Sequence, residues 1–253
     1  MNKKVVGIIL CAVIIVVAAY AVFYFNGEDL DFIEKVKSEV ISANVLLIRV
    51  SEDVASTTYS TGHSGAIFKY DSGRYYVLTA LHAIEPNHSK IIVLKYDQPM
   101  YNQSDVLMGI ANYYSQFPEA TVEYFDEAYD LAVLSFISND EYKVLTIASE
   151  PPEYNELVAA VGNPHEHNRN SVTTGKITSK SPVPFGDELG KNQHNIITHS
   201  AKISSGSSGG ALLNKKLEIV GINLGGSENI FRGFIRGKAM PSDKILVFLK
   251  SME

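Results

Sequence analysis

The sequence has very little cysteine, no tryptophan and no excess of positive charge. Its one cysteine is Cys11, so no disulfide can form within the chain and the core alone must stabilise the fold. The formal net charge at pH 7 is −6, without any basic run or stripe, and we therefore expect no nucleic-acid partner. At 253 residues the chain has room for one large domain or two small fused ones.

Long apolar runs are also missing, with one exception near the N-terminus. Residues 5–25 form an unbroken apolar run, which as a helix would be about 31 Å long, close to the hydrocarbon thickness of a bilayer. Lys3 and Lys4 precede this run and acidic residues follow it, which favours an N-terminus inside the cytoplasm. The sequence therefore predicts a single-pass membrane anchor over residues 1–26 and a domain on the extracytoplasmic side over residues 27–253.

A cleavable signal peptide is the competing interpretation of the same run. Ala19-Tyr20-Ala21 fits the small-x-small pattern of a cleavage site, and cleavage there would make the domain a secreted one. However, the run stays apolar through Phe25, where a cleaved precursor normally turns polar. This favours the uncleaved anchor, and both interpretations export the domain.

Beyond the apolar run, long helical patterns are absent and short strands dominate. Residues 29–43 predict one short amphipathic helix, with apolar residues near helical spacing. About a dozen β-type runs follow, and turn signals such as Asp71-Ser72-Gly73 separate several of them. We found no internal repeat. The pattern predicts an all-β fold, either a barrel or a sandwich.

The segment Gly206-Ser207-Ser208-Gly209-Gly210 resembles a flexible linker, yet it stands directly before strand-like sequence. It fits two nucleophile patterns, the G-x-S-x-G elbow of α/β-hydrolases and the G-x-S-G-G loop of trypsin-like proteases. The hydrolase order places the histidine after the serine, and no histidine follows His199. This excludes the elbow.

The trypsin-like order is His, Asp, Ser, and three segments supply it. His82 follows a hydrophobic strand in "VLTALHAI", Asp130 opens the strand "YDLAVLSF", and Ser208 lies in "GSSGGALL". The sequence therefore resembles the trypsin-like serine proteases, in particular the DegP-like and staphylococcal glutamyl-endopeptidase-like branches. Further matching segments are "FIEKVKSEVI", "VGNP", "GKAMPS" and "EIVGINLGGSENIFRG". Together they cover most of residues 30–250.

The resemblance implies a fold, an activity and roles for single residues. It implies two six-stranded antiparallel β-barrels and a serine endopeptidase that acts on polypeptides without a cofactor. His82 would be the general base, Asp130 would orient its ring, and Ser208 would be the nucleophile. The backbone N–H groups of Gly206 and Ser208 would form the oxyanion hole. The sequence leaves no length after Glu253 for the PDZ domain that DegP-like proteases append, so we expect none.

The resemblance also implies where substrate binds. An extended peptide would pair with the strand after the nucleophile loop, and segments near residues 201–205, 222–226 and 236–239 would wall the specificity pocket. Lys202 and Lys238 could favour an acidic side chain or point outward to solvent, and we favour the outward orientation. Glutamyl endopeptidases have a histidine where this sequence has Asn223, which argues against glutamate specificity. The predicted substrate-binding residues are Lys202, Ile203, Ser205, Ile222, Asn223, Leu224, Gly225 and Lys238.

Other functions remain open at this point. The histidines form no metal-ligand pattern such as H-E-x-x-H, so we expect no metal site. The domain could be a catalytically silent binding module, although the intact triad and Gly206 argue against this. It could also be an esterase or acyl transferase on the same fold. The sequence does not give the oligomeric state.

Overall fold

The computed structural model describes residues 27–52, 56–84, 89–102, 109–165, 169–181, 183–184, 194–228 and 233–252. The predicted membrane segment, residues 5–25, lies outside these residues. Within them, no helix has both the length and the apolar composition that crossing a bilayer requires.

The first element is helix α1, which occupies residues 27–39 where an amphipathic helix is predicted. Its apolar side packs into the main hydrophobic core, where Phe32, Val36 and Val40 are 4%, 0% and 5% exposed. These residues recur every fourth position and so lie on one face of the helix. Because this face is buried, α1 is an integral part of the domain.

Two β-sheets follow α1. The strands of the first sheet are β1 (Asn44–Glu52), β2 (Thr57–Asp71), β3 (Arg74–Ala80), β4 (Ser89–Leu94), β5 (Glu119–Asp126) and β6 (Leu131–Ile137). They form a closed antiparallel barrel in the order β1-β2-β3-β6-β5-β4. The predicted turn between β2 and β3 is confirmed, since Ser72 and Gly73 both have positive φ angles of 49° and 84°. Such a turn matches the twist of a hairpin.

The strands of the second sheet are β7 (Leu157–Gly162), β8 (Ser171–Lys176), β9 (Val183–Pro184), β10 (Asn195–His199), β11 (Ala211–Leu213), β12 (Ile219–Glu228) and β13 (Phe234–Pro241). Their order is β8-β7-β11-β12-β13-β10-β9. The sheet curls so that the chain just after β8 meets β10 through an isolated bridge between Ile177 and His199. There the Thr178 N–H donates to the Thr198 carbonyl over 2.8 Å.

The prediction of two six-stranded barrels is correct for the first sheet and wrong for the second, which among the described residues is a curled sheet of seven strands. The additional strand is β9, only two residues long, in a segment whose turn residues suggest a loop. Pro184 has no N–H to donate, so it suits the edge position that β9 occupies. The other twelve strands, β1–β8 and β10–β13, agree with the prediction of about a dozen β-type runs.

Two further helices lie in segments where the sequence suggested none. Helix α2 (Ile110–Tyr114) places the buried Tyr114 against the apolar outer face of β1 and β4. Helix α3 (Ser242–Lys250) follows β13 and buries Ile245 and Phe248 in the main core. That core also contains residues of β1, β3, β7 and β12, so the two sheets pack on one shared interior.

Candidate active site

His82 and Asp130 meet because strands β3 and β6 are antiparallel neighbours. Their pairing ends with Ala80 opposite Leu131. His82 lies in the 3₁₀ turn (Leu81–Ala83) that follows β3, and Asp130 directly precedes β6. The end of one strand and the beginning of the other therefore bring the two side chains to the same edge of the barrel, although 48 positions separate them in the chain.

The Asp130 carboxylate contacts His82 twice. Its Oδ2 lies 2.7 Å from His82 Nδ1, and its Oδ1 accepts the His82 backbone N–H over 3.0 Å. An ionised carboxylate only accepts hydrogen bonds, so Nδ1 carries a proton. In the neutral ring, Nε2 is then an acceptor, and the imidazole side chain is 47% exposed. His82 is therefore held as a base whose free nitrogen is accessible.

The backbone of Asp130 adopts a strained conformation at this contact. Asp130 has a φ of +53°, in the left-handed region that a non-glycine residue rarely adopts. Aspartate tolerates this region better than most residues do. The Asp130 carbonyl accepts the Leu81 N–H over 3.0 Å, and its own N–H donates to the Glu127 carbonyl over 3.2 Å. The surrounding hydrogen bonds thus hold a strained residue beside His82.

We call residues 206–210, which include Ser208, the serine loop. Its glycines are needed for their backbone geometry and not for flexibility. Gly206 has a φ of +97°, and a Cβ there would lie 2.6 Å from the carbonyl oxygens of Asn163 and Gly62. Gly209 has a φ of +85°, and its Cβ would lie 2.2 Å from Thr79 Oγ1. No side chain fits at either position. Since Thr79 is near the end of β3, the loop packs against the strand that leads into His82.

Ser208 lies in this loop, just before β11. Its backbone carbonyl accepts the Ser64 N–H from β2 over 3.0 Å, which ties the second sheet to the first. Its hydroxyl is 3.4 Å from the Leu224 carbonyl oxygen, a long and weak hydrogen bond. Among the described residues, the backbone N–H groups of Gly206 and Ser208 donate to no carbonyl of the protein.

The residues predicted to bind substrate differ widely in exposure. Ile222 and Asn223 are both 0% exposed, and Leu224 is 4% exposed. Lys202 and Ser205 are exposed, while Gly225 and Lys238 are partly exposed. The Lys202 carbonyl accepts the Thr173 hydroxyl over 2.7 Å.

Two apolar side chains and one backbone carbonyl lie next to Gly226. A Cβ built on Gly226 would lie 3.5 Å from the Arg236 carbonyl oxygen, 3.6 Å from the Phe234 ring and 3.8 Å from Ile203 Cγ1. Ile203 is 8% exposed and belongs to the second sheet's own hydrophobic cluster, against which Phe234 also packs. Two apolar side chains thus flank the exposed backbone of Gly226.

A buried His199–Asn223 pair lies in the second sheet, and no sequence pattern predicts it. His199 Nε2 lies 3.1 Å from Asn223 Oδ1, and Asn223 Nδ2 donates to the Gly210 carbonyl over 3.1 Å. Burial lowers the pKa of His199 to about 4, against a smaller opposing effect of the bond to Asn223. Gly237 makes room for the ring, since its Cβ would lie 2.1 Å from His199 Cε1. The pairing depends on three strands lying side by side, for which the sequence carries no local signal.

The described part of the chain contains no group of three or more His, Cys, Asp and Glu side chains that could hold a metal ion. Its chemistry-bearing groups are those of the His82–Asp130 pair and the serine loop.

Comparison with known proteins agrees with this geometry. The family model of the trypsin-like peptidase domain matches residues 63–222, more than half of the chain. This chain therefore belongs to the trypsin-like peptidase domain family.

Several relatives are serine proteases by name, and they confirm the predicted resemblance to DegP-like proteases. The serine protease Do-like HtrA of Bacillus subtilis is 30% identical over 199 residues, which cover 77% of this chain and 40% of the relative. The protein of the same name from Lactococcus lactis subsp. cremoris is 31% identical over 205 residues, covering 77% and 45%. The serine endoprotease DegS of Haemophilus influenzae is 29% identical over 160 residues, covering 63% and 40%. The chain thus spans less than half the length of these relatives.

Proposed function

We propose that this protein is an exported serine endopeptidase that hydrolyses peptide bonds with His82, Asp130 and Ser208. The observation that carries the proposal is the double contact of Asp130 with His82, made beside a loop in which Ser208 follows the left-handed Gly206. Membership of the trypsin-like peptidase domain family supports it, as do relatives that are named serine proteases.

The proposed reaction uses each member of the triad in turn. The Ser208 hydroxyl exchanges its weak bond to the Leu224 carbonyl for one to His82 Nε2, which removes the proton as Oγ attacks the substrate carbonyl carbon. Protonated His82 then donates that proton to the leaving amine, and water repeats the sequence on the acyl-enzyme. Asp130 stays ionised throughout and stabilises the imidazolium, since its Oδ2 already accepts the Nδ1 proton.

The backbone N–H groups of Gly206 and Ser208 bind the substrate oxygen as it gains negative charge. Donors of this kind stabilise the transition state more than the ground state, and each contributes roughly 10²–10³ in rate. Gly206 supports this role because the loop needs a left-handed residue at this position. Nearby carbonyl oxygens leave no space for a side chain, so only glycine fits. The fact that neither N–H donates to a carbonyl among the described residues supports it further.

The substrate is an extended polypeptide that pairs with strand β12. On the β11 side, the backbone of β12 is bonded as far as Asn223, which pairs with Gly209 and Gly210, so among the described residues the open strand edge begins beyond Asn223. The side chain before the cleaved bond would then meet the apolar surface of Ile203 and Phe234. Since Lys202 is exposed and Asn223 is buried with internal partners, we propose that glutamate is not the dominant residue there.

We further propose that residues 1–26 remain attached as a single-pass anchor, with the catalytic domain on the extracytoplasmic side. The apolar composition of residues 5–25 supports this location. Helix α1 begins its described backbone at residue 27, directly after the anchor, and its packing into the core would hold the domain close to the membrane.

A substrate panel with two serine variants tests the activity. Ser208→Ala should lower the hydrolysis of unfolded, casein-like proteins by several orders of magnitude, because the nucleophile is lost. Ser207→Ala is the matched control, since Ser207 is 5% exposed and, among the described residues, its Oγ has one hydrogen bond, accepted from the Ser204 N–H over 3.3 Å. It should retain most of the activity. A peptide library in the same panel should show no exclusive preference for glutamate. Ester cleavage without peptide cleavage would favour an esterase, and equal loss in both variants would contradict the assignment of the nucleophile.

A further inference from the structure

Ser64 is a buried residue of β2, and no prediction includes it. It is 0% exposed, and each of its polar groups has a partner. The hydroxyl donates to the Gly206 carbonyl over 2.7 Å and accepts the Asn163 N–H over 2.7 Å. The backbone N–H donates to the Ser208 carbonyl over 3.0 Å. One residue of the first sheet thus bonds to both residues whose amides form the proposed oxyanion hole.

The direction of the Gly206 N–H depends on the peptide group that precedes it. The Ser205 carbonyl accepts the His165 N–H over 3.0 Å. Because a peptide group is planar and trans, its N–H points away from its C=O, so this bond directs the Gly206 N–H away from His165. The bond therefore sets the direction of one proposed oxyanion-hole donor.

The peptide group after Gly206 is fixed by Ser64. Glycine rotates more freely about φ and ψ than any other residue, so Gly206 alone would not hold its two flanking peptides in register. The Ser64 hydroxyl holds the Gly206 carbonyl, and the Ser207 N–H of the same peptide donates to the Ser204 carbonyl over 2.9 Å. Both sides of Gly206 are thus restrained by hydrogen bonds.

The same hydroxyl also restrains the segment that carries His165. Asn163 is two positions before His165, and its N–H donates to Ser64 Oγ. The Asn163 side chain adds a bond from Nδ2 to the Val45 carbonyl over 2.9 Å, which anchors this segment to β1. A single oxygen atom therefore connects the peptide after Gly206 to the segment that fixes the peptide before it.

We propose that Ser64 is a positioning residue for the oxyanion hole. Its hydroxyl holds the peptides around Gly206 in the orientation that directs the Gly206 N–H at the substrate carbonyl oxygen. Ser64 is buried, and its hydroxyl acts on catalysis through Gly206 and Asn163. The inference rests on the proposed function, because it concerns how efficiently the same site stabilises its transition state.

Ser135 provides a matched control within the same barrel. It is also 0% exposed, and its hydroxyl accepts a bond from Arg74 Nη1 over 2.7 Å and donates to Glu123. Its hydroxyl contacts neither the serine loop nor the His82–Asp130 pair. Ser64→Ala and Ser135→Ala therefore each remove one buried hydroxyl that makes two hydrogen bonds. Only the first variant removes a hydrogen bond to the serine loop.

Steady-state kinetics of the full-length variants on one peptide substrate test the inference. Ser64→Ala should lower kcat by roughly 10- to 100-fold, part of what an oxyanion-hole donor contributes, with KM within about threefold of the parent value. The pH profile of kcat should keep its parent midpoint, because the His82–Asp130 pair is untouched. Ser135→Ala should keep kcat within about threefold, whatever stability it loses.

A second pair of variants covers the case in which Ser64→Ala does not fold. Threonine and valine have nearly the same shape and differ by the hydroxyl, so Ser64→Thr should exceed Ser64→Val in kcat by roughly 10-fold or more per folded molecule. Equal kcat in this pair, or a Ser64→Ala enzyme as active as its parent, would overturn the positioning role while the protease assignment stands. An equal kcat loss in Ser135→Ala would overturn it too. A parent protein that cleaves no peptide would overturn both proposals.

Discussion

Asp130 has a strained backbone conformation that hydrogen bonds to neighbouring residues hold in place. Its left-handed φ of +53° stores strain, and three hydrogen bonds from Leu81 and His82 hold it in place. The sequence indicated the identity of this residue, because an aspartate at the start of a buried strand fits the trypsin-like order. It did not indicate the strain, which arises only once β3 and β6 are paired.

Replacement of Asp130 by asparagine separates its charge from its backbone role. Asparagine tolerates the left-handed region, so the fold should be retained. The amide can stabilise the wrong imidazole tautomer and provides no negative charge, so kcat should fall by about 10⁴-fold. Asp126→Asn is the matched control, since its Oδ1 accepts only the Ala128 N–H, over 2.7 Å. Peptidase assays on both variants check this, and an Asp130→Asn enzyme within tenfold of its parent would contradict the assigned role.

His199 should make the stability of the protein depend on acidity. Its pKa is about 4 in the folded state and 6.5 as the ordinary value, so the unfolded state binds a proton first as the pH falls. The contribution of neutral His199 to the free energy of unfolding is fully present above pH 6.5 and is lost as the pH falls through about 4. The total loss should be about 3 kcal/mol. Urea unfolding at several pH values measures this dependence.

The control for this pH dependence is His199→Gln, which keeps a donor for Asn223 and removes the titrating ring. Its free energy of unfolding should fall less than that of the parent protein between pH 6.5 and 4. Identical pH dependence in His199→Gln and the parent would show that His199 does not titrate as described.

The sequence predicts the strands more completely than it predicts the helices. Alternating or continuous apolar runs between turn residues gave all twelve longer strands, because burial on a sheet leaves a local pattern. Helices α2 and α3 were missed for different reasons. Helix α2 has five residues and buries only Tyr114, too little for a periodic signal. In α3, Ser242 and Asp243 follow Pro241 as a helix start would, but the sequence analysis uses the segment "GKAMPS" only for the family resemblance and predicts no helix there.

Helix α1 should contribute measurably to stability, because its buried face belongs to the main core. Val36→Ala removes two buried carbons from a residue that is 0% exposed and should lower the free energy of unfolding by about 2 kcal/mol. Lys37→Ala, on the solvent side, should change it by less than about 0.5 kcal/mol. Urea unfolding compares the two. Equal stability of Val36→Ala and the parent protein would show that α1 is not anchored in the core.

In the whole molecule, the proposed active site is assembled from segments that are far apart in the chain. The His82–Asp130 pair comes from the first sheet and Ser208 from the second, and Ser64 joins the two. Sequence order and motifs predict the triad, since each member has its own local context, and the structure places two of its members, His82 and Asp130, in contact. The Ser64 hydrogen bonds and the His199–Asn223 pair could not be predicted, because they depend on how separate strands are placed side by side.

The location of the whole protein is open to a direct test. Residues 5–25 should keep it in the membrane fraction with an N-terminus upstream of Val5, because the run matches the thickness of a bilayer. Intact mass measurement of the detergent-extracted protein checks this. A soluble protein that begins at Val22 would contradict the anchor and indicate secretion.

The central claim is that Ser208, activated by His82, is the nucleophile of a serine endopeptidase. The most direct measurement is reaction of the folded protein with a fluorophosphonate probe, followed by mass-spectrometric mapping of the labelled residue. We expect a single adduct on Ser208, whose formation is lost in His82→Ala and retained in Ser207→Ala. An unlabelled folded protein, or an adduct on any other serine, would contradict the claim.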